Sequence, residues 1–458
     1  MTSSDRPAGP ARAAAAVVNL GCRVNRVESD RITRDLAMAG VPLAGEDSAD
    51  VVVINTCAVT GEAEAKTRKA VRHALGLPRA PQVVVTGCAV NLNAGELTAL
   101  SPRVHAVPSK AAVAGFARGL LEGPGFAVAG RDGDAGREQL VAGSAPHAAS
   151  LTDLLGRSRL GVKVQDGCNH RCSYCIVWKA RGPERSVSVA EVLGQVRDAC
   201  AAGVPEVVLT GVNLGAYRGE DALGRAVGID GLLAAILDGT EIPQVRLSSV
   251  EPMDATPALV SAMAAGGDRV APFLHLPIQS GCDETLRRMR RPYRSSDLAA
   301  LADRIRAAMP AAALSADVIV GFPGETDDEF ERSLVLCERM GLSRMHVFRY
   351  SKRPGTPAAE MDGQVDPRVA AERSRRMREL AARLSRADAL RRIGTRERAV
   401  LEHGDEGTLA SFHRVIVEGS SARGNRRAGS LLEVAIMGLD GDGVLHGEAV
   451  GERPDRIC

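Results

Sequence analysis

Aromatic side chains are scarce: one Trp, four Tyr and seven Phe make up 3% of the 458 residues. A sheet that stacks the bases of single-stranded nucleic acid on a row of aromatics is therefore not expected. Net charge is scarce too, at a formal +2, so the whole-chain balance says little about partners. No apolar run approaches the roughly 18 residues that a membrane span needs, and neither a span nor a membrane partner is expected. The first fourteen residues are rich in Ala and Pro and read as a disordered tail. They run into a strand-like segment without a cleavage site, so no secretory signal and a cytoplasmic location are expected. In that compartment ten cysteines point to metal or redox chemistry, not to disulfide staples.

The length allows two to four domains, each with its own core. In the first region, Ala15–Leu20, Asp50–Ile54 and Gln82–Thr86 read as buried strands, with helices over Val24–Ala39 and Glu62–Leu75 between them. This βαβ pattern implies a parallel sheet covered by helices. Residues 123–153 are Gly- and Ala-rich and read as a linker. A second region, 154–390, repeats the strand–helix unit six times. Its strands are expected at Gly161–Gln165, Glu206–Thr210, Gln244–Ser248, Phe273–Leu276, Leu314–Val320 and Arg344–Tyr350. Ser188 with Glu191 three residues on marks a capping box for a helix over Val189–Ala202. Six parallel units suggest a partial barrel whose chemistry lies at the carboxyl ends of its strands. Asp366–Arg398 reads as a long basic helix or helix pair; from Arg368 to Arg398 there are eleven Arg against four acids. From 391 to 453, short runs at Arg414–Glu418, Leu431–Ile436 and Leu445–Ala449 suggest a small antiparallel barrel.

Cys168, Cys172 and Cys175 have a C-x3-C-x2-C spacing, with Tyr174 before the last. Three thiolates are one short of the usual four for a cubic iron–sulfur cluster, which leaves one iron open to a ligand that is not protein. A zinc knuckle would need a second Cys or His pair downstream, and no second C-x2-C exists. A ferredoxin run would be C-x2-C-x2-C-x3-C. Cys22, Cys57 and Cys88 form a second set, each directly after an expected strand. Carboxyl ends of neighbouring parallel strands converge on one crevice, so three sulfurs could meet there; the alternative is three buried cysteines acting as small apolar residues. Cys200, Cys282, Cys337 and Cys458 lack partners at useful spacing and read as packing residues.

The first cysteine run resembles the radical S-adenosylmethionine superfamily. Leu20–Asn25, Asn55–Thr60 and Thr86–Ala89 sharpen this to a resemblance to its methylthiotransferases. The likeness continues through Arg181–Ser186, Leu209–Gly215, Arg246–Pro252, His275–Cys282, Asp317–Thr326 and Arg353–Thr356. Gly21-Cys22-Arg23-Val24-Asn25 resembles the enzymes acting on threonylcarbamoyladenosine of tRNA more than those acting on isopentenyladenosine or on a ribosomal-protein aspartate. Ile176-Val177-Trp178-Lys179 departs from the family's Ile-Ile-Pro-Tyr, which leaves the thiols intact but changes the pocket wall.

The resemblance implies an α/β protein. A Rossmann-like parallel-sheet domain covers 15–122, a partial TIM-type (β/α)6 radical S-adenosylmethionine barrel 154–390, and a TRAM-like RNA-binding β-barrel 391–453. It implies two 4Fe–4S clusters. The one on Cys168, Cys172 and Cys175 would bind S-adenosylmethionine and yield a 5′-deoxyadenosyl radical; the one on Cys22, Cys57 and Cys88 would carry sulfur. Tyr174 would lie near the adenine, Gly211 and Asn213 near the amino group, and Gln279 at the barrel mouth; each could equally be packing or a turn. The implied substrate is tRNA, with separate electron and sulfur donors and a monomeric enzyme. The arginines at 287, 288, 290, 291 and 294, the long basic helix and the loop Arg423–Arg427 suit phosphate contacts, or else ordinary ion pairs. A different class, a non-catalytic iron–sulfur protein that binds RNA, fits the same motifs without the chemistry.

Overall fold

The structure is a computed structural model, and it describes residues 13–59, 61–123, 156–418 and 428–452. The Arg423–Arg427 loop and most of the 123–153 linker lie outside the described residues. Two compact units result: Met1–Val141 with Lys179–Arg181, and Ala142–Trp178 with Gly182–Cys458.

In the first unit, strands Ala15–Asn19, Val51–Thr56, Gln82–Gly87 and Val104–Ala106 form one parallel sheet in chain order. Their Val-rich runs are buried on both faces, as parallel sheets require. Alternate residues feed two cores. Val52, Ile54, Val83 and Val85 pack with Val71 and Ala74 of the Gly61–Leu75 helix and Leu97 of the Cys88–Thr98 helix. Val51, Val53 and Val84 pack with Ile32 and Leu36 of the Arg23–Met38 helix and Val113 and Ala117 of the Val113–Glu122 helix. Ala15 pairs with Val51 on one side and bridges to Leu43, in parallel, on the other.

In the second unit the six expected strands are present at Leu160–Lys163, Glu206–Thr210, Gln244–Leu247, Phe273–Gln279, Ala313–Val320 and Arg344–Arg349. They form two parallel three-stranded sheets, joined by the parallel bridges Val245↔Val270 and Ser249↔His275. This is a curved half-barrel. The Val189–Ala201 helix is capped as expected, the Ser188 hydroxyl accepting from the Glu191 N–H at 3.3 Å. The long helix is a single one, Pro367–Leu390, with the Asp366 carboxylate capping it through the Arg368 N–H.

The carboxyl-terminal part is a closed five-stranded barrel of Arg396–His403, Glu406–Leu409, Arg414–Glu418, Leu431–Leu439 and Leu445–Glu452. One of its pairs, Arg414–Glu418 with Leu445–Glu452, is parallel. It is fastened to the starts of the half-barrel strands. Arg246 is fully buried; it pairs with Glu206 at 2.8 Å and donates to the carbonyls of Ala410 at 2.8 Å and Leu409 at 3.2 Å. Phe412 stacks on Phe273 at 4.8 Å, and Arg159, Arg246 and Arg344 lie 5.1–5.8 Å from its ring. Phe412 has φ +72°, a strained conformation for a bulky residue that persists only where surrounding contacts over-determine it.

Cys282 and Cys337 are buried packing residues as expected, whereas Cys200 is disulfide-bonded. No described helix is long and apolar enough to cross a membrane.

Burial pushes the Glu206 carboxyl up, but Arg246 outweighs it and holds the group below the usual glutamate range. The pair therefore stabilises the fold at neutral pH, and its contribution is lost as pH falls through that depressed value. Arg246→Met leaves the buried Glu206 carboxylate with only Gln244, at 2.6 Å, and the more distant Arg159, at 4.0 Å, and should cost about 3 kcal/mol. Amide exchange in Arg396–Leu409 should rise sharply in that variant, and much less in the Glu206→Gln/Arg246→Met double variant.

Candidate functional site

Cys22, Cys57 and Cys88 follow the carboxyl ends of parallel strands, and Cys168, Cys172 and Cys175 lie beyond the parallel strand Leu160–Lys163, after a short antiparallel pair of Gln165–Asp166 with Arg185–Ser186. In the first unit, Cys22 caps the Arg23–Met38 helix, Cys57 follows Thr56, and Cys88 opens a helix directly after Gly87. The structure brings the three together. A Cβ on Gly21 would fall 2.5 Å from Cys57 Cβ and 2.7 Å from its Sγ, and Gly21 has φ +108°. Only glycine admits this approach. Cys57 and Cys88 are buried; burial pushes both thiols up, and the charges of the other cysteines in the set push the same way.

Asn25 ties the loops together. Its amide donates to the carbonyls of Leu20 and Thr56, both at 2.8 Å, and its Oδ1 lies 3.7 Å from Cys22 Sγ. The same oxygen accepts from Arg181 at 2.7 Å.

In the second unit, Cys168, Cys172 and Cys175 lie on the loop after Gln165–Asp166. Gly167, at φ +71°, lets the loop pass so close to Pro183 that a Cβ would sit 1.9 Å from its carbonyl oxygen. The Cys168 N–H donates to Gly182 O and the Cys175 N–H to Cys172 O, both at 3.1 Å. Donors face the sulfurs: the Val177 N–H reaches Cys175 Sγ at 3.4 Å and Arg291 Nη1 reaches Cys172 Sγ at 3.1 Å. Burial pushes the Cys168 thiol up to about 11 and the Cys175 thiol up to about 12. Partly and fully buried thiols among N–H donors are a poor resting arrangement for neutral protein. They suit a cationic body that takes the thiolate charge.

Among the described residues, three ligand atoms that lie within 4.8 Å of one another belong to Cys282, Glu284 and Glu329. Each cysteine set offers three thiolates, a donor set that suits a multi-iron cluster with one iron left open. The Cys282 group needs no metal: its thiol donates to Glu284 at 2.8 Å, and Thr285 and Arg288 satisfy Glu329.

The other expected residues fall into place unequally. Asn213, after the Glu206–Thr210 strand, is buried; its N–H donates to Gln165 Oε1 at 2.8 Å and its Nδ2 to Glu184 at 3.3 Å. Its Oδ1 is buried with no hydrogen-bond partner, an acceptor open to a donor. Gly211 packs tightly, a Cβ there lying 3.0 Å from Gln165. Gln279 closes its strand in a left-handed conformation, φ +66°, the kind of strain that gathers at functional sites. The Tyr174 ring packs edge-on against Phe322 at 6.4 Å, beside Met289 and Ala358, so the contacts the structure shows for it are packing. Trp178 carries the Arg171 guanidinium 4.2 Å above its ring.

Sequence reasoning missed Glu251 and misplaced Arg291. Arg291 is no exposed phosphate contact: it is buried, paired with Glu251 and bonded to Cys172. Burial pushes Glu251 up and opposes the charge of Arg291, but the carboxylate beside it keeps the guanidinium well above its ordinary value. Arg288 is likewise engaged, with Glu329. In the long helix, Arg373, Arg376 and Arg383 pair with Glu325, Glu331 and Glu338, so much of its charge fastens the helix to its neighbours. Arg287, Arg290 and Arg294 remain exposed.

Residues 162–337 match the radical SAM superfamily, and residues 14–108 match a family described as uncharacterized protein family UPF0004. The threonylcarbamoyladenosine tRNA methylthiotransferase of Thermotoga maritima is 32% identical over 94% of this chain and 95% of its own. The protein of that name from Treponema pallidum is 34% identical, over 81% and 87%. The chain belongs to the radical SAM tRNA methylthiotransferase family. A relative from Novosphingobium aromaticivorans, 36% identical over 82% and 83%, is a tRNA-2-methylthio-N(6)-dimethylallyladenosine synthase. In fold, the chain is similar to the radical S-adenosylmethionine methyltransferase TsrM of Kitasatospora setae, at TM-score 0.54 and 16% identity over 76% of this chain and 77% of that one. As a radical SAM methylthiotransferase, the enzyme uses S-adenosylmethionine, a 4Fe–4S cluster and a second cluster.

Arg291→Met should strand Glu251 and remove the donor to Cys172. About 3 kcal/mol of stability is at stake, discounted from the range for fully buried pairs because Glu251 is 19% exposed. Thermal melts should show this loss and iron assays a weaker hold on cluster. The exposed neighbour Arg290→Met should change stability by no more than about 0.5 kcal/mol.

Proposed function

We propose that the enzyme converts threonylcarbamoyladenosine, next to the anticodon of tRNA, to its 2-methylthio derivative. The observation that carries this reading is the Gly21–Asn25 run, Gly-Cys-Arg-Val-Asn. It supplies a thiol, the glycine that lets Cys57 approach and the asparagine that ties the loops. It is supported by two relatives of that activity that align over most of the chain.

In this reading Cys168, Cys172 and Cys175 hold the cluster that binds S-adenosylmethionine, and Cys22, Cys57 and Cys88 hold the second. Bound there, the groups supply a radical able to take hydrogen from an adenine carbon, together with sulfur and a methyl group for the product. The chain's own residues orient and exclude. Asn213 offers its buried Oδ1 to the cofactor's ammonium group, with Gly211 and Gln165 shaping the wall beside it. Arg291 donates to Cys172 and is itself held by Glu251. Tyr174 and Phe322 close an apolar side, and Gln279 stands at the end of its strand. Arg287, Arg290 and Arg294 offer exposed cations to RNA phosphates. Separate donors supply electrons and renew the sulfur, and the enzyme works as a cytoplasmic monomer.

A second reading, methylthiolation of dimethylallyladenosine, is favoured by the 36% identical relative of that activity. Mass spectrometry of tRNA nucleosides from a deletion strain separates the two. The proposal expects methylthio-threonylcarbamoyladenosine to vanish and to return with the restored gene, the dimethylallyl derivative being unchanged. Loss of the dimethylallyl derivative alone would establish the second reading instead.

A further inference from the structure

We propose that His275, Asp317 and His346 read the N6 substituent of the substrate adenosine and select a threonylcarbamoyl group over a dimethylallyl one. The inference deepens the proposed function and rests on it: the substrate base enters this half-barrel with its C2 toward the cysteine loop.

The three residues lie on adjacent strands of one sheet, Phe273–Gln279, Ala313–Val320 and Arg344–Arg349. Asp317 is the register partner of His346, and His275 is the partner of Ser315, two residues before Asp317. Residues two apart share a face of a strand, and here it is the inner face. Arg344, two residues before His346, lies 5.4 Å from the Phe412 ring, which stacks on Phe273, two residues before His275. Those groups plug the half-barrel on the side of the strand starts. Toward the strand ends, Ile319 packs with Tyr174 of the cysteine loop around Phe322, Met289 and Ala358. A strand rises about 3.3 Å per residue, so Asp317 lies about 7 Å below Ile319.

His275 Nε2 and His346 Nδ1 approach the same atom, Asp317 Oδ1, at 3.3 and 3.4 Å. Neither contact is a hydrogen bond: that oxygen is buried and has no hydrogen-bond partner. A buried acceptor without a donor is costly, and the native arrangement is completed by a group from outside the chain. His275 is buried and fixed by Ser315 Oγ, 3.1 Å from its Nδ1. His346 is 46% exposed and Phe348, the register partner of Ile319, is 42% exposed. Both stand on the last strand of the sheet, so the polar group is reached from the open side.

The inner face therefore presents an aromatic ring near the cysteine loop and, one step below it, a carboxylate between two imidazoles. Adenine's C2 and C6 flank the same ring nitrogen. A base stacked on Phe348 with C2 toward the loop carries its N6 substituent along this face. A threonylcarbamoyl group has hydroxyl and N–H hydrogens to donate to Asp317, and a carboxylate that accepts from imidazole N–H groups. A dimethylallyl group has neither, and it would seal Asp317 Oδ1 unsatisfied beneath hydrocarbon. Sites built on such hydrogen bonds reject analogues that lack them far more strongly than apolar pockets reject an added polar group.

The test uses full-length holoenzyme, reconstituted with iron and sulfide without oxygen. Its substrates are two anticodon stem-loop RNAs that differ only in carrying threonylcarbamoyladenosine or dimethylallyladenosine. Fluorescence anisotropy gives Kd for each RNA, and mass spectrometry of the methylthio product gives kcat/KM. The parent should favour the threonylcarbamoyl RNA in both. Asp317→Leu and His346→Leu should each narrow the ratio between the RNAs by at least about tenfold, the worth of one lost hydrogen bond. His346→Gln, which keeps a donor, should regain part of the ratio, whereas Phe348→Leu should weaken both RNAs alike. If Asp317→Leu does not fold, His346→Leu, on the exposed edge strand, decides. An unchanged ratio in a folded, iron-loaded Leu variant overturns the inference and leaves the proposed function standing. A parent that favours the dimethylallyl RNA overturns the proposed function, and the inference with it.

Discussion

Thiols crowded together in a protein interior are costly to ionise and of little use protonated, unless a cation takes their charge. That constraint recurs at two places in the chain, and much of the local structure answers it. Cys168 and Cys175 have thiols pushed up to about 11 and 12 by burial, and burial raises Cys57 and Cys88 as well. At both places loops after strands supply the sulfurs, a glycine with positive φ permits a close backbone approach, and a buried arginine stands beside the set. Arg291 does this for Cys172, and Arg181 for the set that includes Cys22.

Arginine has three distinct uses in this chain. Arg181 and Arg291 pair with Glu28 and Glu251 at the cysteine sets. Arg246 and its neighbours fasten the carboxyl-terminal barrel to the starts of the half-barrel strands, through Glu206 and the strained Phe412. That places the anchor at one end of those strands and leaves the other end to the cysteine loop. Arg376 and Arg383 clamp the long helix onto the one before it. The composition shows many arginines, but only their partners distinguish these uses.

Much of the fold was legible because parallel strands are written as short, continuous apolar runs. All six half-barrel strands fall within a few residues of expectation, and Glu206–Thr210 matches at both ends. Phe273–Gln279 runs three residues beyond the expected end at Leu276, through Pro277, with a register shift there. Arg396–His403 and Glu406–Leu409 went unseen: their charged ends merge with the basic helix before them, and Gly407 weakens the pattern. The six cysteines were legible through spacing and position after strands. Arg291 and Arg181 were not assigned these contacts, because Arg291 meets Cys172 across 119 residues and Arg181 meets Glu28 across 153. Such contacts exist only once the chain has folded, and in sequence an arginine beside a cluster looks like any other.

The central claim is that the two cysteine sets are both iron sites. Anomalous scattering at the iron edge, from crystals of protein reconstituted without oxygen, tests it directly. The account predicts two iron maxima, one bounded by Cys22, Cys57 and Cys88 and the other by Cys168, Cys172 and Cys175. A single maximum, or iron bound instead at Cys282, Glu284 and Glu329, would contradict it.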